Sequence, residues 1–325
     1  MNKILSQVCW FITLLIIVSC KNDLILTEAG VPIPITYALI DAADTAHFVR
    51  LEKSFIDENI PPAQLAHDPS NLYYTNAIVE LKNVRTNQSL RFIEVDGLTE
   101  GFPRKDGAFA QTPNILYKLK NQNITWNTDD DYTLEITTQE NQKFVAKSKI
   151  LAPSFLIRPN ASGNIDFDDT QIIRYSWNPG KNSVVYSMRL IIRIQESTNN
   201  GPFVLKTIEW PIFSNISISR YEFSGKEFYS LLGNTLQKSP NIKRFVDGID
   251  VLFISGGNSI ADYTKVSTAN LGITASGEVP VFTNFSEGRG IFGSINKVEL
   301  KNLPLSRNTV DRLKTNESTR ELNFQ

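Results

Sequence analysis

Residues 188–213 read MRLIIRIQESTNNGPFVLKTIEWPIF, two apolar runs separated by Thr198-Asn199-Asn200-Gly201. Met188, Leu190, Ile192 and Ile194 fall on one face of the first run, and Val204, Ile208, Trp210 and Ile212 on one face of the second. Period-two alternation on both sides of an Asn/Gly turn is the pattern of a β-hairpin with one buried face. It occurs twice more upstream. In AIVELKNVRTNQSLRFIEV (77–95), Ala77, Val79 and Leu81 share a face before a polar turn and a second apolar run. In DYTLEITTQENQKFVAKSKI (131–150) the turn is Thr138 to Gln142. Short strands, frequent turns and few helical periods predict an all-β chain built of two β-sandwiches in tandem.

One helix stands out in the second half. Ser224-Gly225-Lys226-Glu227 has the spacing of a capping box, and Phe228, Leu231, Leu232 and Leu236 follow on one helical face before Ser239-Pro240. A proline-bearing turn at Leu151-Ala152-Pro153-Ser154 marks the domain break. The expected division is a signal peptide at 1–19, a tether at 20–32, sandwiches at 33–151 and 152–306, and a polar, loosely ordered tail at 307–325. The stretch IIRYSWNPGKNSVVYSMRLIIRI (172–194) resembles immunoglobulin or fibronectin type III modules, which implies that Trp177 fills the core of the second sandwich.

The composition of the 325 residues is that of an ordinary globular protein, with 41% hydrophobic and 21% charged side chains and a net charge of −1. No basic block could track a phosphate backbone, so nucleic-acid binding is not expected. The only cysteines are Cys9 and Cys20, so the body is built without disulfides, thiol catalysis or cysteine-ligated metals.

Those two cysteines lie in an address signal. Lys3 precedes an apolar run from Val8 to Val18, which as a helix spans only about 16 Å, roughly half a bilayer core. That length suits the hydrophobic region of a signal peptide. The run ends in Ile17-Val18-Ser19-Cys20, which resembles a bacterial lipobox. The resemblance implies cleavage before Cys20 and acylation of its thiol and new amino group, hence a firm membrane anchor. Gly30, Pro32 and Pro34 then suit a tether.

Candidate chemistry in the body is sparse. Asn164, Asp166, Asp168 and Asp169 in NIDFDD read as a solvated strand face with Ile165 and Phe167 inside, and no metal is expected; oxygen ligands for calcium are the weaker alternative, since the glycine and distal glutamate of an EF-hand are absent. Asp129-Asp130-Asp131 reads as a soluble turn that discourages edge pairing. His47 and His67 fall in no metal motif. No nucleotide-binding or hydrolase fingerprint occurs, and Gly288, Gly290 and Gly293 read as backbone-permissive turns around the core residues Ile291 and Phe292. No cofactor is expected. For binding, the segment from Asp57 to Tyr74 offers the aromatic pair Tyr73 and Tyr74. Asp44-Thr45-Ala46 resembles an O-glycosylation triplet of exported Bacteroidota proteins.

Two longer blocks carry a family resemblance. ITYALIDAADTAHFVRLEKSFID (35–57) resembles the opening block of an uncharacterised family of Bacteroidota outer-membrane lipoproteins, a domain-of-unknown-function type with tandem immunoglobulin-like modules. DYTKVSTANLGITASGEVPVFTNFSEGRGIFGS (262–294) is similar to its closing block at Tyr263, Pro280, Phe282, Thr283, Asn284, Gly288, Gly290, Ile291 and Phe292. Ser294-Ile295-Asn296 stands where a serine–arginine ending is usual. The resemblance implies no established catalytic residue and an accessory role beside outer-membrane machinery such as a TonB-dependent receptor. The expected function is therefore a non-enzymatic, lipid-anchored binding or scaffolding protein of the outer membrane. The surface face is favoured over the periplasmic one, and a surface hydrolase of polysaccharide or peptide and an adhesin are the alternatives.

Overall fold

A computed structural model describes residues 32–57, 59–269 and 281–325. The signal peptide, Cys20 and nearly all of the tether lie outside the described residues, as does Pro280. The chain is all-β, as the alternation predicts, and its strands form three sheets. The first sandwich faces β3 (Ile78–Asn83), β4 (Ser89–Arg91), β7 (Asp131–Thr137) and β8 (Lys143–Lys149) against β1 (Pro34–Ile40), β2 (Ala46–Lys53), β5 (Ile93–Asp96) and β6 (Ile115–Lys120). Val79, Leu81, Leu134 and Ile136 from one sheet meet Ala38, Ile40, Val49 and Leu51 from the other.

The second sandwich sets β9 (Phe155–Arg158), β10 (Ile172–Asn178) and β13 (Arg220–Ser224) against long strands. These are β11 (Val185–Thr198), β12 (Val204–Ile216), β14 (Ile242–Gly256) and β15 (Arg289–Leu303). Trp177 lies in this core, stacked on Phe213 and tilted against Tyr186 and Phe253, the role a strand tryptophan has in an immunoglobulin-like sandwich. The hairpin that opens the sequence reading forms, with Ile208, Trp210 and Ile212 buried as expected but Val204 left exposed. Asn199 and Asn200 both take left-handed backbone angles, which asparagine tolerates better than most residues, and Leu190 pairs with Trp210 across it.

The two sandwiches share β15. Its residues 289–294 pair in parallel with β1, and its residues from Ile295 onward pair antiparallel with β14, giving one eight-stranded sheet that runs through both sandwiches. Phe285 and Phe292 consequently pack in the first core, although they follow the second sandwich's other strands in sequence. Polar groups are buried where the strand crosses over, and each finds a partner. The Ser294 hydroxyl donates to the Ile40 carbonyl (2.9 Å) and accepts from the Leu151 amide (3.1 Å). The Asn296 side-chain oxygen accepts from the Ser154 amide (2.9 Å), and Asp41 accepts from the Lys297 amide (2.7 Å). Satisfied buried polar groups fix geometry in a way that apolar contacts do not.

Gly290 makes the parallel pairing possible. Its φ is +115°, and a Cβ there would stand 1.8 Å from the Thr36 carbonyl oxygen. The turn reading of the glycines is thus corrected at Gly290 and Gly293, which both lie within β15, and Gly290 permits close approach of β1. Beside it, Asn284 donates to the Phe292 carbonyl (2.6 Å) and accepts from the Phe292 amide (2.9 Å), pinning the segment before β15.

The marked helix forms as α3, after the short α1 (Pro62–Ala66) and α2 (Pro69–Leu72), and spans Lys226–Thr235 with Phe228, Tyr229 and Leu232 buried. Its capping differs from the expected box. Glu227 does reach back to the Ser224 amide (3.1 Å), but the Ser224 hydroxyl accepts from Lys226 (3.3 Å), because Gly225 has already turned helical. The helix ends at Thr235, four residues before Ser239. Two more helices follow, α4 (Asn258–Ala269) and α5 (Arg307–Thr315).

Two predictions follow from these contacts. Gly290→Ala should cost about 3 kcal/mol or more in urea unfolding, whereas Gly107→Ala, with open space around it, should be near neutral. The second concerns His47, which is buried against the edge of Trp126 with neither ring nitrogen hydrogen-bonded. Burial pushes its pKa below the usual value. Asn121 and the carboxylates of Asp44 and Asp41 oppose this, but the Asn121 amide is committed to Trp126, Ala42 and Asp44. A histidine held neutral in the fold contributes full stability above its unfolded pKa of about 6.5, and that stability is lost as pH falls below it. The urea midpoint should therefore drop between pH 7.5 and 5, and His47→Phe should flatten that dependence.

Candidate functional site

The acidic candidates are occupied by the chain itself. Ser306 caps α5 by accepting from the Thr309 amide (3.1 Å), which sets the helix against NIDFDD. Asp166 accepts from the hydroxyls of Ser306 and Thr309, and Thr309 in turn accepts from the Phe167 amide (2.8 Å). Arg312 pairs with Asp169 and lies 3.3 Å from Asp168, and the Asn316 amide donates to Asp169 (2.8 Å). The Thr170 hydroxyl and amide, ahead of Arg312, hold Asp168 below the usual carboxylate range. Asn164 makes no contact of this kind. The cluster is a dock for the tail, in which Asp166, Asp168 and Asp169 are engaged by the chain's own donors while Ile165 and Phe167 are buried. Among the described residues no group of three or more His, Cys, Asp or Glu side chains is placed to hold a metal ion.

The tail itself is ordered, against the expectation of a loose segment. Leu313 and Leu322 are fully buried and Phe324 nearly so. Gly233 of α3 lets Ser318 approach so closely that a Cβ would sit 2.6 Å from its carbonyl oxygen. Arg244, wholly buried, donates to the Leu322 carbonyl (2.6 Å), the Gln237 carbonyl (2.9 Å) and Glu196 (2.6 Å).

The other acidic run is divided among separate cations. Asp129 pairs with Lys181; Asp130 is buried under Arg85 (2.6 Å) and Asn83 (2.8 Å); Asp131 meets Lys147 (2.8 Å) and Lys149 (3.5 Å). Arg85 and Asn83 for Asp130, and Lys147 for Asp131, keep both below the ordinary carboxylate value. Tyr73 is buried with Leu72 and Ala110, and its hydroxyl accepts from Arg104 (3.2 Å), so it offers no exposed ring. Tyr74 is half-buried and donates to the Pro32 carbonyl (3.2 Å); burial, then Glu140, pushes its pKa up to about 12. His67 is exposed, and Thr45 is exposed on the turn between β1 and β2.

An open surface lies elsewhere, at one edge of the large sheet. β12 is the outermost strand there. Gln195 of β11 pairs with Leu205 on one side and Phe245 on the other, so these two flank it on adjacent strands. The Phe203 ring lies 5.2 Å from that of Phe245. Phe203, Val204, Leu205 and Phe245 are 42–65% exposed. The edge is open only along the first half of β12, since Pro211 lacks an amide proton and Asn215 turns left-handed (φ 56°). Farther along the same sheet face, a groove of 460 Å³ runs past the Arg189–Glu209 ion pair to Ile260, without a set of converging titratable groups. The signal for the open edge was present in Phe203-Val204-Leu205, an unbroken apolar triplet where a two-faced strand would alternate.

The tail dock gives a test. Adding calcium should leave the melting temperature unchanged, while Arg312→Met should lower it by roughly 2 °C; a rise with calcium would restore the metal reading.

No protein-family model matches the chain, and no curated protein matches it. Among solved structures it is similar to the IG1 and IG2 domains of DIP-gamma, at 10% identity, with 82% of this chain and 98% of that chain covered and a TM-score of 0.19. It is also similar to the C-terminal globular domain of oligosaccharyltransferase from Pyrococcus abyssi, at 11% identity, with 83% and 48% covered and a TM-score of 0.20. The chain thus spans about half the length of the second. At these TM-scores neither superposition bears on the fold, and the assignment as an all-β, two-sandwich chain rests on its own strands and cores.

Proposed function

We propose that the chain is a non-catalytic binding or scaffolding module, carried on a lipid anchor at Cys20 in the outer membrane, that engages an extended segment of a partner protein. The observation that carries this reading is the open edge of β12, beside which Phe203, Leu205 and Phe245 are exposed. An unpaired strand edge presents a row of backbone donors and acceptors, which an added strand satisfies, and apolar side chains beside it favour that partner over water. The carboxylates that a hydrolase would use are held in ion pairs or caps, with those whose pKa moves displaced downward, away from an acid catalyst. The lipobox-like Ile17-Val18-Ser19-Cys20 supports the anchor, and the family resemblance supports a place beside a TonB-dependent receptor.

The test is a detergent pull-down of the tagged, lipidated protein from its own membranes, run beside Leu205→Lys. A stoichiometric outer-membrane partner should be retained by the parent and lost, by about tenfold or more, from the variant. Equal retention by both would remove β12 as the binding surface. Cys20→Ser should release the protein from the membrane fraction.

A further inference from the structure

The open edge of β12 is continued by the groove, and the pairing registers put both on one face of the sheet. Leu190, Ile192, Ile208, Trp210 and Val251 point into the core, so the residues that alternate with them point outward. On that outer face Leu205 and Phe245 flank Gln195, and the Phe203 ring lies beside that of Phe245. Farther along the same strands Arg189 stands between Pro211 and Leu252, and Ser187 pairs with Ile254. Outward positions of a sheet with one solvated face are ordinarily polar. Here Pro211, Leu252 and Ile254 line the 460 Å³ groove that reaches Ile260 of α4.

Two apolar sites therefore share one face, with a charged band between them. Measured along β12 they are centred at Leu205 and Pro211, six residues or about 20 Å apart. In the band Arg193 is held by Asp247 (3.1 Å) and Asp250 (2.8 Å), and Arg189 by Glu209 (3.2 Å). Lys243, two residues before Phe245, shares its face. The outward charges of β11, β12 and β14 are then Arg189, Arg193 and Lys243 against Glu209, Asp247 and Asp250, which cancel. A balanced face has no pull on a polyanion or an anionic lipid surface. What the edge offers instead is a row of backbone donors and acceptors, which an extended polypeptide matches residue for residue.

A segment laid against β12 pairs with it as far as Pro211, which has no amide proton to give. Side chains of a strand return to one face every second residue, so positions i and i + 6 of that segment face the same way, about 20 Å apart. One meets Phe203, Leu205 and Phe245, and the other reaches past Pro211 into the groove over Leu252 and Ile254. The positions between them lie beside Thr207 and Glu209, both exposed. We infer that the partner is a polypeptide whose extended segment carries large apolar side chains six positions apart, with polar side chains between them on the same face. This rests on strand addition at β12 and adds the sequence pattern that edge and groove select together.

A phage library of random twelve-residue peptides, panned on the lipidated protein in detergent, supplies the probe. Enriched peptides should carry two large apolar residues six positions apart more often than at any other spacing. A synthetic peptide of the enriched sequence should lose about tenfold in affinity when either apolar anchor is changed to Ser. Ile254→Ala should weaken the parent peptide by about threefold and leave one of the two Ser peptides unaffected, the one that lacks the groove anchor. A general loss of folding would weaken all three alike, so this coupling isolates the groove contact. Peptides that need Leu205 but show no six-residue spacing and ignore Ile254→Ala overturn the inference and leave strand addition at β12 standing. Enriched peptides that bind Leu205→Lys as well as the parent, or no enrichment at all, count against strand addition itself, and the inference falls with it.

Discussion

A single strand, β15, has to satisfy two different sheets. Its first six residues complete the first sandwich by pairing in parallel with β1, and the rest complete the second by pairing with β14. Neither hydrogen-bond ladder can be lost without exposing backbone groups in the other's neighbourhood, and an unpaired buried amide costs as much as a lost bond. The orientation of one sandwich to the other is therefore fixed by covalent continuity through the crossover at Ser294 and Ile295. A flexible linker would leave such domains free to move; here the buried side chains of Asp41, Ser154, Ser255, Ser294 and Asn296 surround the crossover instead.

This constraint explains which parts of the fold were legible in sequence. Hairpins whose partners are neighbours announce themselves by alternation, and all three predicted hairpin segments contribute strands. The core position of Trp177 follows from the same local logic. The β1–β15 pairing joins residues some 250 positions apart and leaves no local pattern; its trace is Gly290, whose need for positive φ reads as a turn when the partner strand is unknown. Tertiary context overrides local signals at such places.

The tail was misread for a different reason. Sequence reading weighs apolar periodicity, and Arg307 to Gln325 has little of it because much of its attachment is polar: Arg312, Asn316 and Thr309 meet carboxylates, and Arg244 meets tail carbonyls. Seen from the other side, those carboxylates read as a solvated face, with a metal site as the weaker alternative, and what meets them is a guanidinium. Tyr73 and Tyr74 were drawn inward by the same arithmetic that makes aromatic rings valuable in small cores. The exposed triplet Phe203-Val204-Leu205 was legible as an irregularity in an otherwise regular strand, but only its place at the sheet's edge gives the irregularity meaning.

The parallel pairing of β1 and β15 has a mechanical consequence. A pull applied through the tether draws β1 toward its own start, while a load on the far end of the sheet draws β15 toward its finish. The two strands lie side by side and point the same way, so the opposed forces slide them past each other. The six register pairs from Ile35–Arg289 to Ile40–Ser294 then resist together, in shear, instead of opening one after another like a zip. A chain suspended between a membrane and a moving partner would meet that load at its strongest geometry.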